Sequence, residues 1–346
     1  MLPSFSRHRA EEAAPLQSKR IQWMDSVRCL AMSWILFVHF VSVFTPNTNV
    51  RFPGIWGLLL FGISGKLAVA CFCVLLGYFA SAPSRVGVPV YVTRRYLFFA
   101  LQILAAELLY YGMALLLPEG LYLSRYCPIL YEGPRVVLPG ILGDAFLLKA
   151  QVLPTYWCVD DFLCGSIAVF LLQRLAGRQS RLVQLLACAA LFGALLALNQ
   201  LWAAICLLGY VLRLVEDMRL PDEPLVLIGL VLALPWLIRR GECTTTYLLD
   251  GFACLAALFV LARLPWCQRL LSVRPLVRFG QHTFEVFLLH VPIYQGIQSL
   301  LELAGWSWPP LWGYCLLFPA LFALVTLTAF AWRRAAASTL FRWLRY

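Results

Sequence analysis

Charge is scarce in this 346-residue chain: Asp, Glu, Lys and Arg together make up 13% of it, where a soluble domain carries about a quarter. Hydrophobic residues make up 62%, and the mean hydropathy is +0.78. Together these exclude a cytosolic enzyme, a secreted disulfide scaffold and a disordered protein. Other features are missing too. The 12 cysteines sit mostly inside apolar runs and form no pair of CxxC motifs, so no metal site is expected. No internal repeat is visible, which removes support for an inverted-repeat transporter. The first twenty residues lack the short apolar core and small-residue cleavage site of a signal peptide, so the first apolar helix is expected to be retained.

What the chain has is apolar length. About 215 residues are apolar, enough for about ten membrane spans of ~20 residues. The expected spans are 27–45, 56–80, 95–117, 156–174, 182–199, 200–214, 224–239, 247–264, 282–301 and 311–332. The expected fold class is therefore all-α, a polytopic membrane protein of about ten transmembrane helices with both termini cytoplasmic. The fifth and sixth spans are short, and Asn199 and Gln200 must supply the turn between them. Residues 1–24 form an N-terminal cytoplasmic segment, 25–334 the membrane domain and 335–346 a cytoplasmic tail. Residues 118–155 lie outside and are too long for a simple connection. They contain Pro118, Pro128, Pro134, Pro139 and Pro154, and a folded cap or re-entrant segment is expected. Cys127 and Cys243 both fall outside, where an oxidising compartment would allow them to pair, although sequence does not show that they meet.

The net charge of +11 would point to nucleic acid in a soluble protein. Here its distribution matters more. With cytoplasmic termini, 21 of the 28 Lys and Arg residues lie inside and six outside, with Lys66 within a span. This is a strong positive-inside pattern, and removing one span would invert every later loop, so the charges favour ten spans over nine. They read as orientation in a lipid bilayer, and no nucleic-acid partner is expected.

Ionisable groups inside spans are costly and usually functional. Arg28 and His39 are eleven residues apart on the first helix. At 100° per residue that is within ~20° of three full turns, and ~16 Å along the axis. They share a face, with Arg28 at the cytoplasmic entrance, His39 deep in the bilayer and Asp25 placed to pair with Arg28. His290 is a second deep histidine, either supporting His39 or the acceptor, or simply packed and hydrogen-bonded. Pro292 is placed to kink its helix and free carbonyls nearby. Asp160 and Asp161 at the outer end of the fourth span, after Trp157, fit either a sugar site, with Trp157 as a stacking face, or a helix-start pair. Lys66 and Glu107 read most simply as an ion pair between adjacent helices, with lining of an acyl channel as the alternative. Glu285 reads as a local partner of His282.

Three patches resemble one family. The segment Met24-Asp25-Ser26-Val27-Arg28 through Val38-His39-Phe40 is similar to the opening of the acyltransferase-3 family of integral membrane acyltransferases, which carries an Arg, ten residues and then a His. Val69-Ala70-Cys71-Phe72-Cys73-Val74-Leu75-Leu76-Gly77-Tyr78-Phe79 resembles its apolar run ending in Ser-Gly-Tyr/Phe. Phe279-Gly280-Gln281-His282-Thr283-Phe284-Glu285-Val286-Phe287-Leu288-Leu289-His290-Val291-Pro292 resembles its Gly…Tyr-Leu-Leu-His-x-Pro segment. The patches occur in order across nearly the whole chain. The chain departs from the pattern at Leu76 (Ser in the family) and Phe287 (Tyr). Its Arg94 and Arg95 are adjacent, where the family separates two arginines by two residues, and the next candidate, Phe98, is apolar.

The resemblance implies an acyltransferase, transferring groups other than aminoacyl groups, in a multi-pass protein of the plasma membrane. It would move an acyl group, commonly acetyl, from cytoplasmic acyl-CoA to a hydroxyl of an extracytoplasmic glycan or glycolipid, an O-acetylation of polysaccharide type. Acyl-CoA enters as a co-substrate, and no bound cofactor is implied. Its phosphates need cations at the cytoplasmic mouth, where Arg28, Arg94 and Arg95 stand; plain positive-inside anchoring is the other reading of Arg94 and Arg95. A neutral imidazole suits a general base, which assigns that role to His39, with a covalent acyl-histidine as the alternative. A multi-span transporter or flippase without acyl chemistry, and a family member that senses without turnover, are the competing functions.

Overall fold

The computed structural model describes residues 21–44, 65–82, 86–216, 244–306 and 311–337, and among these there is no strand. The helices in chain order are α1 (Gln22–Phe44), α2 (Gly65–Ala80), α3 (Val88–Leu116), α4 (Tyr122–Tyr126), α5 (Pro134–Leu147), α6 (Val159–Ala176), α7 (Arg181–Ala197), α8 (Leu201–Glu216), α9 (Thr244–Leu261), α10 (Pro265–Leu271), α11 (Arg274–Gly280), α12 (Thr283–Leu303) and α13 (Leu311–Ala337). Among the described residues, five stretches are long and apolar enough to cross a membrane: Gln22–Phe44, Val88–Leu116, Pro154–Ala176, Thr244–Leu261 and Cys315–Ala335. Gly65–Ala80 and Arg181–Ala197 are shorter apolar helices. The protein is an all-α, multi-pass membrane protein. The expected seventh span, 224–239, residues 56–64 of the second, and residues 1–20 and 338–346 of the terminal segments lie outside the described residues.

The outer surface explains the composition. Leu316, Leu324 and Leu327 on α13 and Leu182 and Leu186 on α7 are exposed, where a soluble protein would place charge. By contrast, α12 turns its polar residues inward. Glu285, His290, Gln295, Gln298 and Ser299 are all buried, so this 21-residue helix is less apolar than its neighbours because of what faces the bundle, not the lipid.

The second centre of packing is α8, which α2, α6, α7 and α9 surround. A Cβ added at Gly77 would lie 1.7 Å from the Cys206 carbonyl oxygen, and one at Gly209 would lie 2.0 Å from the Val74 carbonyl oxygen. Missing side chains let α2 and α8 touch backbone to backbone, the usual route to close helix pairs in lipid. The turn entering α8 is made by Asn199 in the left-handed conformation, φ 59°, which Asn tolerates better than most residues. The amides of Asn199 and Gln200 close it on the carbonyls of Leu196 and Leu195. Three residues, Leu198, Asn199 and Gln200, therefore suffice to separate α7 from α8.

Residues 118–155 fold into α4, α5 and 3-10 turns at Pro128–Tyr131 and Pro154–Tyr156. Here α5 packs on α3 and α4 on α12. The first amides of α4 lack intrahelical partners: Tyr122 donates to Glu302 Oε2 at 2.7 Å and Leu123 to Ser299 Oγ at 2.8 Å, both on α12. Asp144, 1% exposed, accepts the amides of Gln151, Val152 and Leu153 at 2.6, 2.7 and 3.4 Å. Cys127 is buried here and donates its thiol to the Val152 carbonyl at 2.9 Å; burial pushes that thiol up to about 12, which disfavours the thiolate that disulfide exchange requires. Cys243 lies outside the described residues.

The Gly209 contact gives a direct test. In Gly209→Val, Cβ meets a backbone carbonyl that no change of rotamer relieves. The variant should lose at least about 1–3 kcal/mol of stability, read as a lower unfolding midpoint of purified protein in detergent. An unchanged midpoint would contradict the α2–α8 contact.

Candidate functional site

On α1, Arg28, Ile35 and His39 recur at helical spacings of seven and four, one stripe facing the bundle. The Arg28 guanidinium is held 3.5 Å from Asp25 and 4.3 Å above the Phe79 ring. Asp25 is itself buried, and α11 presses on its backbone: a Cβ at Gly280 would fall 1.7 Å from the Asp25 carbonyl oxygen. On α3, Arg95 is steadied by Ser166 Oγ at 3.4 Å and stands 5.0 Å from the Phe99 ring centre.

These elements enclose a cavity of about 560 Å³. Arg28, Arg94, Arg95 and Arg333 line its charged part, and Ile35, Val69, Phe72, Phe162 and Phe287 its apolar part. The three arginines singled out from the sequence thus meet at one opening. The adjacent pair Arg94 and Arg95 both reach it, as does Phe98 one turn later, because the cavity wraps around that side of α3.

Ile35 lies one turn before His39 and Phe287 three residues before His290. The lined volume therefore reaches to about 5–6 Å of axial rise from the two histidines. Their rings pack edge to face, centres 4.9 Å apart at 73°. His290 is fully buried. Its Nδ1 contacts the Phe287 carbonyl at 2.7 Å, so the proton belongs on Nδ1 and Nε2 keeps its lone pair. That Nε2 has no hydrogen-bond partner among the described residues. Pro292 contributes next to it: lacking an N–H, it leaves the Leu288 carbonyl without its helical partner. The Tyr156 hydroxyl supplies the replacement at 2.8 Å. The helix runs unbroken through Pro292 from Thr283 to Leu303.

Beyond the histidines the sequence expectations separate. Trp157 is 36% exposed, but one face is covered by Lys66, whose Nζ lies 3.7 Å from the ring centre, and Trp202 packs 5.5 Å away. Asp161 accepts the Ala203 amide at 3.1 Å, capping the orphan N-terminus of α8. Asp160 keeps a buried oxygen with no hydrogen-bond partner among the described residues. The expected Lys66–Glu107 pair does not form. Helix α2 packs on α1, α6, α8 and α9, whereas α3 packs on α5, α6 and α12, so neighbours in sequence are not neighbours in the bundle. Glu107 is fully buried and faces Asp144. Glu285 lies 3.8 Å from Arg333, while the His282 ring sits 4.3 Å from Phe330. Arg333 also lines the cavity. In sequence it is one more anchoring charge after the last span, and only the return of α13 to α12 brings it in.

A family model described as an acyltransferase domain matches residues 21–330. Neither the comparison with curated proteins nor that with solved structures gave a match.

The two aspartates separate by experiment. Asp161→Ala removes the cap of α8 and should cost about 1 kcal/mol, seen as a lower unfolding midpoint in detergent, while Asp160→Ala should cost clearly less. Equal losses would contradict the division of roles.

Proposed function

Because this chain belongs to the acyltransferase-3 family and is a membrane acyltransferase, we propose that it moves an acyl group, acetyl in the first instance, from cytoplasmic acyl-CoA to a hydroxyl of an extracytoplasmic glycan or glycolipid. We place it in the plasma membrane with both termini cytoplasmic. The observation that carries this reading is a basic cavity that ends one helical turn short of two packed histidines, His290 buried and His39 half-buried.

In this reading the donor enters from the cytoplasm with its phosphates among Arg28, Arg94 and Arg95. Guanidinium groups suit that task because they offer paired, charge-assisted hydrogen bonds to phosphate oxygens. The arm carrying the thioester runs along the apolar wall towards Ile35 and Phe287. The acceptor hydroxyl approaches from the opposite side, past Trp157 and Asp160. His39 takes the hydroxyl proton as the oxygen attacks the thioester carbonyl. The new C–O bond forms and the C–S bond breaks. The leaving sulfur receives the proton back from the imidazolium, so charge and protons balance. His290, its proton fixed on Nδ1 by the Phe287 carbonyl, packs its ring edge to face on His39 and so holds the plane of the base. The exposed part of Trp157 and the Asp160 carboxylate would supply apolar and hydrogen-bonding contacts suited to a sugar.

The test is turnover. His39→Ala should lower acyl transfer by about 100-fold or more while the protein still inserts and unfolds at an unchanged temperature. The readout is the mass of envelope glycans from cells with the wild-type chain, the variant and neither; a gain of one acyl group that only the wild type produces is the expected result. Full transfer by the variant would overturn the assignment of His39, and no mass difference with the wild type would favour transport or sensing.

A further inference from the structure

The cavity contains one cation and one anion that this mechanism leaves unused. Arg333, near the end of α13, and Glu285, in the first turn of α12, both line it. The Arg333 guanidinium donates to the Gln281 carbonyl, so main chain fixes its position. Its contact with Glu285 is looser, Nη1 to Oε1 at 3.8 Å, beyond hydrogen-bond range. Glu285 is 7% exposed, a carboxylate facing a chamber whose other charged walls, Arg28, Arg94 and Arg95, are all positive.

A carboxylate is an odd occupant of a site for a polyanion, because it repels the ligand. The contradiction disappears if it holds the place of the ligand. A guanidinium that is only 30% exposed gains from a nearby negative charge, and Glu285 supplies one at 3.8 Å. A phosphate offers Arg333 shorter, paired, charge-assisted bonds. Resting on the reading of the cavity as the acyl-CoA site, we infer that Arg333 is a fourth phosphate-binding cation and that Glu285 is its resident counter-ion, displaced when the donor binds. The pair also ties α12, which carries His290, to the last helix, so occupancy by phosphate releases one link between the two while the Gln281 bond persists.

The two residues then have opposite effects, which a structural ion pair would not. The measurement is equilibrium binding of coenzyme A to the purified full-length protein in detergent, at two salt concentrations. Arg333→Gln should weaken binding about ten-fold or more and flatten its salt dependence, with Arg333→Lys recovering part of the loss. Glu285→Gln, which keeps the shape of the side chain, should tighten binding several-fold. Arg95→Gln serves as the control for the cavity itself. If Arg95→Gln loses coenzyme A while the Arg333 and Glu285 variants bind like wild type, or both shift in the same direction, the inference is overturned and the donor reading stands. If the wild-type protein binds no coenzyme A, both are overturned.

Discussion

In a bilayer, a carbonyl that loses its amide finds no water, and its partner must come from the protein. Pro292 creates that situation at Leu288, four residues earlier and two residues from His290. The Tyr156 hydroxyl resolves it at 2.8 Å. That bond fastens the segment entering α6 to the middle of α12. The same stretch of α12 provides the Phe287 carbonyl that orients the His290 ring, and the His290 ring in turn packs on His39. The histidine pair, Trp157 and the head of α6 are thus located relative to one another through one orphaned carbonyl. A proline that would break a helix in water becomes here the reason a tyrosine is needed.

The arrangement also explains why so little charge is enough. The phosphate-rich donor proposed above would need several cations in one place, but isolated cations in lipid are expensive. The protein meets both conditions by drawing arginines from α1, α3 and α13 to one end of the bundle and giving each a neighbour: Asp25 and Phe79 for Arg28, Ser166 and Phe99 for Arg95, Glu285 and Gln281 for Arg333. On the proposed reading, the basic residues that orient the chain in the membrane also line the cavity, so orientation and donor binding would draw on one set of residues.

Much of the fold was legible in sequence because lipid imposes length and composition on spans. The stripe Arg28–Ile35–His39 follows from the helical period alone, and the three family patches marked α1, α2 and α12. The positions of the spans around α7 and α8 are readable too, and Asn199, expected at the turn between them, adopts the left-handed backbone that Asn tolerates. What could not be read was which helix lies against which. Lys66 and Glu107 were paired on the assumption that consecutive helices are neighbours, and the bundle instead gives Lys66 to Trp157 and Glu107 to Asp144. Asp161 carries no local sign that it caps a helix forty residues later. Arg333 is indistinguishable in sequence from Arg334 beside it, and only the packing of α13 on α12 brings it to the cavity.

The central claim is that the donor reaches the histidine pair from the arginine-lined end and the acceptor from the other. Sealed membrane vesicles of opposite orientation, given membrane-impermeant acetyl-CoA labelled in the acetyl group, test it most directly. Label should pass to envelope glycan only when the arginine-bearing, cytoplasmic face meets the donor. Equal transfer in both orientations, or transfer only when the donor meets the opposite face, would contradict it.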